Sequence, residues 1–439
     1  MVKACDRNDC DSGDTEGDDP TASVRAEPSA AGRVDTPLAR RGRGALSNRV
    51  GRFESRQHVD IDDGWQVLTE TDTDRRTQWR DDKAKHVITR NRTPDLHFDR
   101  SINPYRGCEH GCVYCYARPS HAFLGHSAGL DFERRLYAKR GAAARLREEL
   151  ARPGYARRDG GIRPMAIGVN TDAYQPLERE LGITRSILEV LLEARHPVYL
   201  ITKGSLIERD LDLLGELAAH NLLAVTVSLT TLDNALARRL EPRATAPQRR
   251  LRTLRTLAEA GIPTRISISP VIPALNEHEI ESLIEAAARA GACAANAILL
   301  RLPHELATLF PEWLDEHYPL RKERVLKALR SMRSGSLNDS GFGTRFIGEG
   351  PRAELIRQRF EKACRQHDIS FGRERFALDT SAFRPPASDG GATGRQATDR
   401  QATDRQQTDS QGSGEQASGA TTFTRDTPAL QLSLFADCD

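Results

Sequence analysis

This sequence has no long apolar runs and few cysteines. No apolar stretch in its 439 residues approaches the ~20 residues of a membrane-spanning helix. Its first residues, MVKACDRNDCDSGDTEGDD, contain no apolar run of signal-peptide type. We therefore expect a soluble protein of the reducing cytoplasm. In that compartment, closely spaced cysteines hold a metal or a cluster more often than they form a disulfide.

The net charge of the chain is also small, +2 at pH 7, but its charged residues are unevenly distributed. Residues 1–38 carry four basic and nine acidic side chains, and residues 387–439 carry four and eight. Residues 39–386 carry 56 basic against 45 acidic side chains. This central surplus favours an anionic partner such as nucleic acid, although many of these basic side chains simply solvate helices.

Two polar segments flank the middle of the chain and are poor in large apolar side chains. Such segments cannot offset their ordering entropy, so we expect disorder in both. The second contains RQATD, RQATD and RQQTD in succession at 395–409, a low-complexity tether. The predicted organisation is an acidic tail (1–38), a basic N-terminal extension (39–99), a barrel (100–303), a helical and loop extension (304–384), the tether (385–428) and a terminal peptide (429–439).

Apolar runs of strand length alternate with helical patterns in the middle of the chain. Strands are predicted at 165–170, 198–202, 222–229, 264–270 and 297–302. Helices are predicted at 134–149, 184–194, 206–220, 247–260 and 277–290, one of them with a Ser205 to Glu208 capping box. This alternation predicts an α/β fold with a parallel sheet, as a partial or full TIM-type (β/α) barrel. The functional residues should then directly follow the strands.

Three of the eight cysteines lie in PYRGCEHGCVYCYARP at 104–119. Thiolates from Cys108, Cys112 and Cys115 can bind three corners of a [4Fe–4S] cubane and leave one iron open. That iron can chelate the amino and carboxylate groups of a methionine moiety and deliver an electron to its sulfonium. The alternatives are a zinc site completed by His110, His121 or His126, and cysteines without a shared role.

Further motifs follow the predicted strands in order. They are NTDAYQPLE (170–178), TKGSLIERD (202–210), SLTTLD (228–233), LEPRATAP (240–247) and SPVIPALN (269–276). With the cysteine motif, they make residues 100–303 resemble the radical S-adenosylmethionine (SAM) superfamily. The branch they resemble is that of spore photoproduct lyase, often labelled DNA repair photolyase.

The resemblance implies a [4Fe–4S] cluster on the three cysteines and S-adenosylmethionine as a second cofactor. It places Tyr114 behind the adenine and implies cofactor contacts for Thr171, Lys203 and Ser228. Lys203 suits the methionine carboxylate. A lysine at the carboxyl end of a barrel strand independently faces the site, although an ordinary surface lysine is the alternative.

Other polar residues on the same rim are open to two interpretations each. Asp172, Tyr174 and Gln175 are candidates to hold cofactor or substrate, and Asp172 is equally a candidate turn cap. Arg243 is a candidate anion contact, or it pairs with Glu241.

The sequence departs from the lyase at one position. The lyase has a hydrogen-donor cysteine three positions before the aspartate of its second-strand motif, and Val169 stands there in this chain. Tyr116 matches a catalytic tyrosine that helps return the hydrogen in the lyase. Cys293 is a candidate substitute for the missing thiol, with a buried structural thiol as the alternative. Thymine-dimer repair therefore does not carry over with the cofactor chemistry.

Two segments outside the barrel have alternative roles. RRGRGALSNRVGRFES (40–55) either clamps a phosphate backbone or wraps around the barrel as an arm. GSLNDSGFGTRFIGEGP (335–351) is either a substrate-covering loop or a plain connector.

The chain ends in TPALQLSLFADCD, which contains QLSLF. This pentapeptide resembles the bacterial sliding-clamp-binding motif, which implies clamp contacts for Gln431, Leu432, Leu434 and Phe435. The alternative is an apolar terminus that docks on its own barrel. A peptide at the end of a flexible tether is well placed for capture by a partner.

We expect an enzyme that cleaves S-adenosylmethionine reductively and uses the 5'-deoxyadenosyl radical to abstract hydrogen from nucleic acid, in DNA repair. An electron donor such as flavodoxin or ferredoxin is implied. The alternatives are radical modification of RNA or a protein, and a non-catalytic iron–sulfur protein associated with the clamp.

Overall fold

The computed structural model describes residues 42–53, 76–96, 98–371 and 376–387. The predicted acidic tail, almost all of the predicted tether and the whole terminal peptide lie outside these residues. The predictions made for those segments, including Gln431, Leu432, Leu434 and Phe435, therefore stay predictions.

The described residues form two sheets and a set of helices that cover them. In chain order the strands are β1 (Gln78–Asp81), β2 (Ile88–Arg90), β3 (Arg100–Ile102), β4 (Tyr105–Arg106), β5 (Arg135–Ala138), β6 (Met165–Ile167), β7 (Val198–Thr202), β8 (Leu223–Ser228), β9 (Thr264–Val271), β10 (Ala294–Leu299) and β11 (Ser370–Phe371). The helices are α1 (Asp131–Arg134), α2 (Ala142–Ala151), α3 (Glu178–Leu181), α4 (Ile183–Glu193), α5 (Leu211–Ala219), α6 (Asn234–Leu240), α7 (Pro247–Glu259), α8 (Ile280–Arg289), α9 (Leu306–His317), α10 (Pro319–Ser331) and α11 (Gly350–Gln366).

The larger sheet has the strand order β2-β3-β6-β7-β8-β9-β10-β11. Strand β2 is antiparallel to β3, and every other neighbouring pair is parallel. From β3 to β10 each strand lies beside the preceding strand of this sheet, which is the order of a (β/α) barrel. Within the described residues the edge strands β2 and β11 do not pair with each other. The α/β prediction is confirmed, and the strand order is that of a partial barrel.

The central strands form because their residues suit a sheet that is covered on both faces. Strands β7 and β8 read VYLIT and LAVTVS, rich in β-branched side chains and largely buried. The helices present one apolar stripe to this sheet. In α8 the buried residues are Ile280, Leu283, Ile284 and Ala287, spaced as one helix face requires.

Most predicted elements of the barrel match the structure to within a few residues, but part of one helix prediction and the predicted capping box are wrong. Within the helix predicted at 134–149, Arg135–Ala138 form strand β5, which pairs with β1 and β4 in a separate sheet of three strands, and the helix begins only at Ala142. Pairing on both edges of β5 overrides the local helix propensity. The strand predicted at 297–302 begins three residues earlier, at Ala294.

The predicted capping box at Ser205 does not form. Residues Ser205–Asp210 make a 3-10 turn whose N-cap is Gly204, and no side chain caps it. Glu208 pairs instead with Arg249 of α7, at 2.5 Å between Oε1 and Nη1. A strong tertiary partner thus replaces the local hydrogen bond that the spacing predicts.

Helices α9 and α10 form a second core beside the end of the barrel. Trp313 and Phe310 of α9 are fully buried and stack at 5.5 Å between ring centroids. They belong to one apolar cluster with Cys112, Val113 and Tyr114, so the C-terminal extension covers the segment that carries the cysteines. None of the helices within the described ranges has the length and apolar character needed to cross a bilayer.

Candidate active site

The three cysteines lie on the loop that follows β3 and β4, near the carboxyl end of the first barrel strand. Cys108 and Cys112 are buried, and Cys115 is half-buried. Gly111, between the first two cysteines, has a φ of 66°. A Cβ there would lie 2.7 Å from Oε2 of Glu133, so both the backbone angle and the space require glycine.

A buried ion pair between Arg118 and Glu133 stabilises this loop. Arg118 and Glu133 are both fully buried, and Nη2 of Arg118 lies 2.5 Å from Oε1 of Glu133. Arg118 also donates to the carbonyl oxygens of Cys112, at 2.8 Å, and Gly111, at 3.1 Å. The guanidinium group therefore fixes the backbone that carries the cysteines.

Gln175 forms hydrogen bonds to the backbone of the same loop. Its amide oxygen accepts from the backbone N–H of Glu109 at 2.9 Å, and its amide nitrogen donates to the carbonyl of Gly107 at 3.3 Å. Because Gln175 is fully buried and bonded to the loop, it positions the cysteines. The prediction that it holds cofactor or substrate is not supported.

The N-terminal arm, residues 42–53, packs directly against the cysteine loop. The backbone N–H groups of Gly44 and Ala45 donate to the Glu133 carboxylate at 3.0 and 2.9 Å. A Cβ on Gly44 would lie 1.7 Å from the carbonyl oxygen of Gly111.

Arg49 and Arg52 of the arm donate to Glu312 and Glu305, each at 2.6 Å. Of the two interpretations of this segment, the described residues support an arm that wraps around the barrel.

The thiols are suited to a metal cluster. Burial raises the pKa of the Cys112 thiol to about 12, although the nearby Lys203 ammonium opposes the rise. Burial also raises the pKa of Cys108 and Cys115. Such thiols stay protonated until a cation replaces the proton, and thiolates are the preferred ligands of iron–sulfur clusters and zinc. The donor set therefore fits the implied cluster.

A single zinc ion fits the structure less well. Nε2 of His121 bonds to the carbonyl of Arg135, and Nε2 of His126 lies 2.7 Å from the Tyr137 hydroxyl. Nδ1 of His110 lies 3.3 Å from Oδ2 of Asp172. In the described part of the chain, no three or more His, Cys, Asp or Glu side chains are gathered to hold one metal ion. In a cubane each cysteine binds its own iron, so the three sulfurs need not converge on one point.

Lys203 follows β7 and lies beside the cysteine loop. Its side chain is half-buried. Burial alone would lower the pKa of Lys203, but the nearby Cys112 and Glu241 outweigh burial and raise it. The backbone N–H of Lys203 donates to Asp172 at 2.6 Å. The structure therefore places Lys203 near Cys112 and Glu241, and its contact with the cofactor stays a prediction.

Asp172 joins the carboxyl ends of β6 and β7. Its Oδ1 accepts from the Thr202 hydroxyl at 2.7 Å and from the backbone N–H of Tyr174 at 2.9 Å. With the bond from Lys203, both carboxylate oxygens are engaged by the protein. This arrangement supports the turn-cap interpretation, in which Asp172 positions Lys203. The Tyr174 hydroxyl donates to Asp210 at 3.0 Å and also has a structural role.

Glu241 is the centre of a buried network that the sequence did not predict. The Tyr114 hydroxyl donates to Glu241, and Arg250 of α7 forms an ion pair with it. Burial opposes ionisation, but Arg250 and Lys203 hold the pKa of Glu241 down at about 2. Arg250 also donates to the carbonyl of Ser228 at 3.0 Å. The network thus links Tyr114 to the end of β8.

The structure also gives partners for Arg243 and Thr171. Arg243 does not pair with Glu241, because its Nη2 lies 3.3 Å from Oε1 of Glu109. Thr171 is buried, and its hydroxyl donates to the carbonyl of Tyr105 at 2.9 Å. Asn170, which precedes it, has a buried Oδ1 without a hydrogen-bond partner among the described residues. This oxygen is an acceptor that a bound cofactor could use. The one signal for it in the sequence is that Asn170 begins the motif NTDAYQPLE.

Tyr116 and Val169 are in direct contact. The Tyr116 hydroxyl donates to the backbone carbonyl of Val169. The guanidinium carbon of Arg301 lies 5.4 Å from the centroid of the Tyr116 ring and 5.5 Å from that of Phe346. Phe346 belongs to the segment 335–351, and its carbonyl accepts from the N–H of Leu299. That segment therefore lies against the end of β10, close to Tyr116.

Cys293 is far from this position along the sheet. It immediately precedes β10, so it lies at the amino ends of the strands, opposite the cysteine loop. Its thiol is exposed and donates to the carbonyl of Thr264 at 3.1 Å. The prediction that Cys293 replaces the missing thiol is wrong, and so is the alternative of a buried structural thiol.

Residues 102–287 match the family model described as the Radical SAM superfamily. This family uses a [4Fe–4S] cluster and S-adenosylmethionine, the two cofactors that the cysteine motif implies.

Similar sequences include uncharacterised proteins of Mycobacterium tuberculosis (strain ATCC 25618 / H37Rv) and Mycobacterium bovis. Each is 35% identical over 226 residues, which are 51% of this chain and 65% of the relative. An uncharacterised protein of Methanocaldococcus jannaschii is 29% identical over 197 residues, 45% of this chain and 69% of its own. This chain thus spans less than two thirds of the mycobacterial relatives.

Solved structures with a similar fold include a spore photoproduct lyase mutant, with a TM-score of 0.49 and 14% identity over 73% of this chain and 88% of its own. Another is spore photoproduct lyase complexed with dinucleoside spore photoproduct, with a TM-score of 0.45 and 14% identity over 64% and 78%. Streptococcus suis SuiB bound to S-adenosylmethionine has a TM-score of 0.38 and 15% identity over 63% and 50%.

Proposed function

We propose that this protein is a radical SAM enzyme with its cluster on Cys108, Cys112 and Cys115, because residues 102–287 match the Radical SAM superfamily model. The observation that carries the proposal is the position of these thiols, two of them buried, in the loop after β3 and β4, with Lys203 near Cys112. When bound, the cluster supplies the electron that cleaves S-adenosylmethionine to methionine and a 5'-deoxyadenosyl radical, which abstracts hydrogen from the substrate.

The residues of the chain bind and orient S-adenosylmethionine. Lys203 would bind the methionine carboxylate, and Asp172 accepts from the backbone N–H of Lys203 and so positions it. Tyr114, whose hydroxyl donates to Glu241, would back the adenine. Thr171, in the segment after β6, and Ser228, at the end of β8, would also contact the cofactor.

The substrate class that we propose is nucleic acid, first of all DNA in a repair reaction. The support is the basic surplus of residues 39–386 and the clamp-like peptide QLSLF near the C-terminus. Partners of the working enzyme are the sliding clamp and an electron donor such as flavodoxin or ferredoxin. The setting is the cytoplasm, where cysteine thiols stay reduced.

The final hydrogen transfer differs from that of the lyase. Valine cannot donate a hydrogen atom, and the Tyr116 hydroxyl is bonded to the Val169 carbonyl. We therefore propose that S-adenosylmethionine is consumed in each turnover. Deuterium that moves from substrate to cofactor and then back into product would contradict this step.

The test of the cofactor assignment uses anaerobically reconstituted full-length protein. The wild type should bind about four irons and release 5'-deoxyadenosine under reduction, as expected for a single open-iron cluster. Cys112→Ala should lose both properties, whereas Cys293→Ala, the matched control, should keep both. Stoichiometric zinc without iron in anaerobically purified wild type would defeat the proposal.

The substrate assignment needs a separate screen. Release of 5'-deoxyadenosine should be measured over damaged DNA, transfer RNA and protein fractions. Stimulation by damaged DNA is the expected result, and stimulation by RNA or protein alone would replace the substrate class while leaving the cofactor assignment intact.

A further inference from the structure

Lys139 is a buried cation that lies outside the site described above. The residue is only 7% exposed. Within the described residues its ammonium group makes no hydrogen bond and no ion pair. It lines a small surface cavity together with Asp82, Gly141, Ala142 and Arg145. Buried lysines usually have a partner, so this side chain points to a ligand.

The same cavity contains the N-terminus of helix α2. This ten-residue helix begins at Ala142, and no side chain caps it. The N–H of Ala142 donates to the carbonyl of Lys139 at 2.9 Å, and the helix dipole with the N–H groups that follow favours an anion at this end. The Arg145 side chain turns back toward this end, since a Cβ on Gly141 would lie 3.8 Å from Nε of Arg145. Lysine, arginine and helix N-terminus therefore converge on one cavity.

The charges around the cavity are positive on balance. Asp82 is the carboxylate that lines it, and Arg106 engages this group at 2.7 Å. Glu149 also lies nearby, but its carboxylate accepts from the backbone N–H groups of Val87 and Ile88 at 2.7 and 3.3 Å.

The exposed cations Lys83, Lys85 and Arg140 are close in sequence to the residues that line the cavity. Burial lowers the pKa of Lys139 to about 8, and a bound anion would raise it again.

The cavity is joined to the chain that leads into the cysteine loop. The backbone N–H of Lys139 donates to the carbonyl of Pro104 at 3.0 Å, and Pro104 lies four residues before Cys108.

We propose that Lys139, Arg145 and the N-terminus of α2 form a binding site for a phosphate group. Three positive elements around a small cavity match the charge and the acceptor oxygens of phosphate. The phosphate is that of a nucleic-acid strand whose target nucleotide is presented to the active site, and this second part rests on the proposed function.

The test uses Lys139→Met in the full-length protein, with Lys327→Met as the matched control, because Lys327 is an exposed lysine of α10. In the first measurement, inorganic phosphate is titrated at constant ionic strength and the melting temperature is followed. Phosphate should stabilise the wild type and Lys327→Met, and Lys139→Met should bind it at least about tenfold more weakly. Lys139→Arg should retain most of the phosphate effect.

The second measurement is the binding of a labelled duplex oligonucleotide at several salt concentrations, in the absence of S-adenosylmethionine. Lys139→Met should weaken binding about tenfold and lower the slope of log K against log salt by about 0.9, the contribution of one phosphate. If Lys139→Met weakens both the stabilisation by phosphate and the binding of the duplex, the proposal is supported. Loss of the phosphate effect with unchanged strand binding supports the phosphate site but assigns it to free phosphate or a small ester.

A purely structural lysine would behave differently. Without ligand, Lys139→Met should be as stable as the wild type or more stable, because it removes an unpartnered buried charge. A destabilised Lys139→Met whose phosphate response equals that of the wild type would overturn the proposal. Because neither measurement involves cleavage of S-adenosylmethionine, a failure here is distinguishable from a failure of the proposed enzyme activity.

Discussion

At the scale of single residues, the most constrained group near the candidate site is the guanidinium of Arg118. It is fully buried, pairs with the equally buried Glu133 and donates to the carbonyls of Gly111, Cys112, Ala128 and Gly129. Removing a partner from a buried ion pair leaves an uncompensated charge, which costs far more than losing an exposed pair. Arg118 therefore contributes to the stability of the fold as well as to the shape of the loop.

We expect Arg118→Met to lower the free energy of unfolding by about 3–5 kcal/mol, because Glu133 would stay buried without its partner. Urea denaturation of the purified protein measures this change. The matched control is Arg289→Met, which removes an exposed pair with Glu285 and should change the free energy of unfolding far less. If the two variants lowered the free energy of unfolding equally, the buried pair would contribute no more to stability than the exposed pair.

At the scale of elements, the cysteine loop and the N-terminal arm meet backbone to backbone. Gly44 of the arm lies so close to the Gly111 carbonyl that no Cβ fits between them. The arm also supplies two N–H donors to Glu133, the residue that pairs with Arg118. One carboxylate thus joins the arm, the loop and helix α1, so the arm is part of the site's support.

Gly44→Ala should displace the arm and lower the free energy of unfolding by about 1–3 kcal/mol, since Glu133 would lose its two N–H donors. Trypsin should then cleave faster at Arg49 and Arg52. Gly215→Ala is the control, because Gly215 lies inside helix α5 with nothing within 4 Å of its added Cβ. That change should instead stabilise the protein by about 0.5–1 kcal/mol. Equal proteolysis of wild type and Gly44→Ala would contradict the docking of the arm.

At the scale of the whole molecule, the sequence predicts that the clamp-like peptide is a unit separate from the proposed enzyme. The candidate active site lies within the described residues, whereas QLSLF follows a predicted tether outside them. A flexible tether lets the peptide bind a partner without moving the enzyme, and it raises the local concentration of enzyme on DNA.

Changing Leu434 and Phe435 to Ala should abolish binding to the sliding clamp in a pull-down, because these apolar side chains are expected to fill a pocket on the clamp. Release of 5'-deoxyadenosine should be unchanged, since neither residue belongs to the barrel. Changing Thr427 and Ser433 to Ala is the control and should leave clamp binding intact. If the wild type does not bind the clamp, RNA or protein becomes the more credible substrate.

The part of the site that could be predicted from sequence rests on short-range patterns. The spacing of Cys108, Cys112 and Cys115 is visible in eight residues, and Lys203 directly follows an apolar run of strand length. Parallel strands share one carboxyl edge, so residues that follow different strands meet without any further information. The α/β fold follows from the same alternation of strands and helices.

The sequence by itself therefore determined the cysteine motif, the strand-end positions and the alternation of elements, because each depends on neighbours in the chain. Only the tertiary structure decided which partners those residues take. Glu241 meets Arg250 and Tyr114, Arg118 meets Glu133, and strand β5 forms where a helix was predicted. Cys293 lies at the wrong end of β10 to serve the site. These outcomes depend on packing and burial between distant segments, which can outweigh local propensity and which no short stretch of sequence specifies.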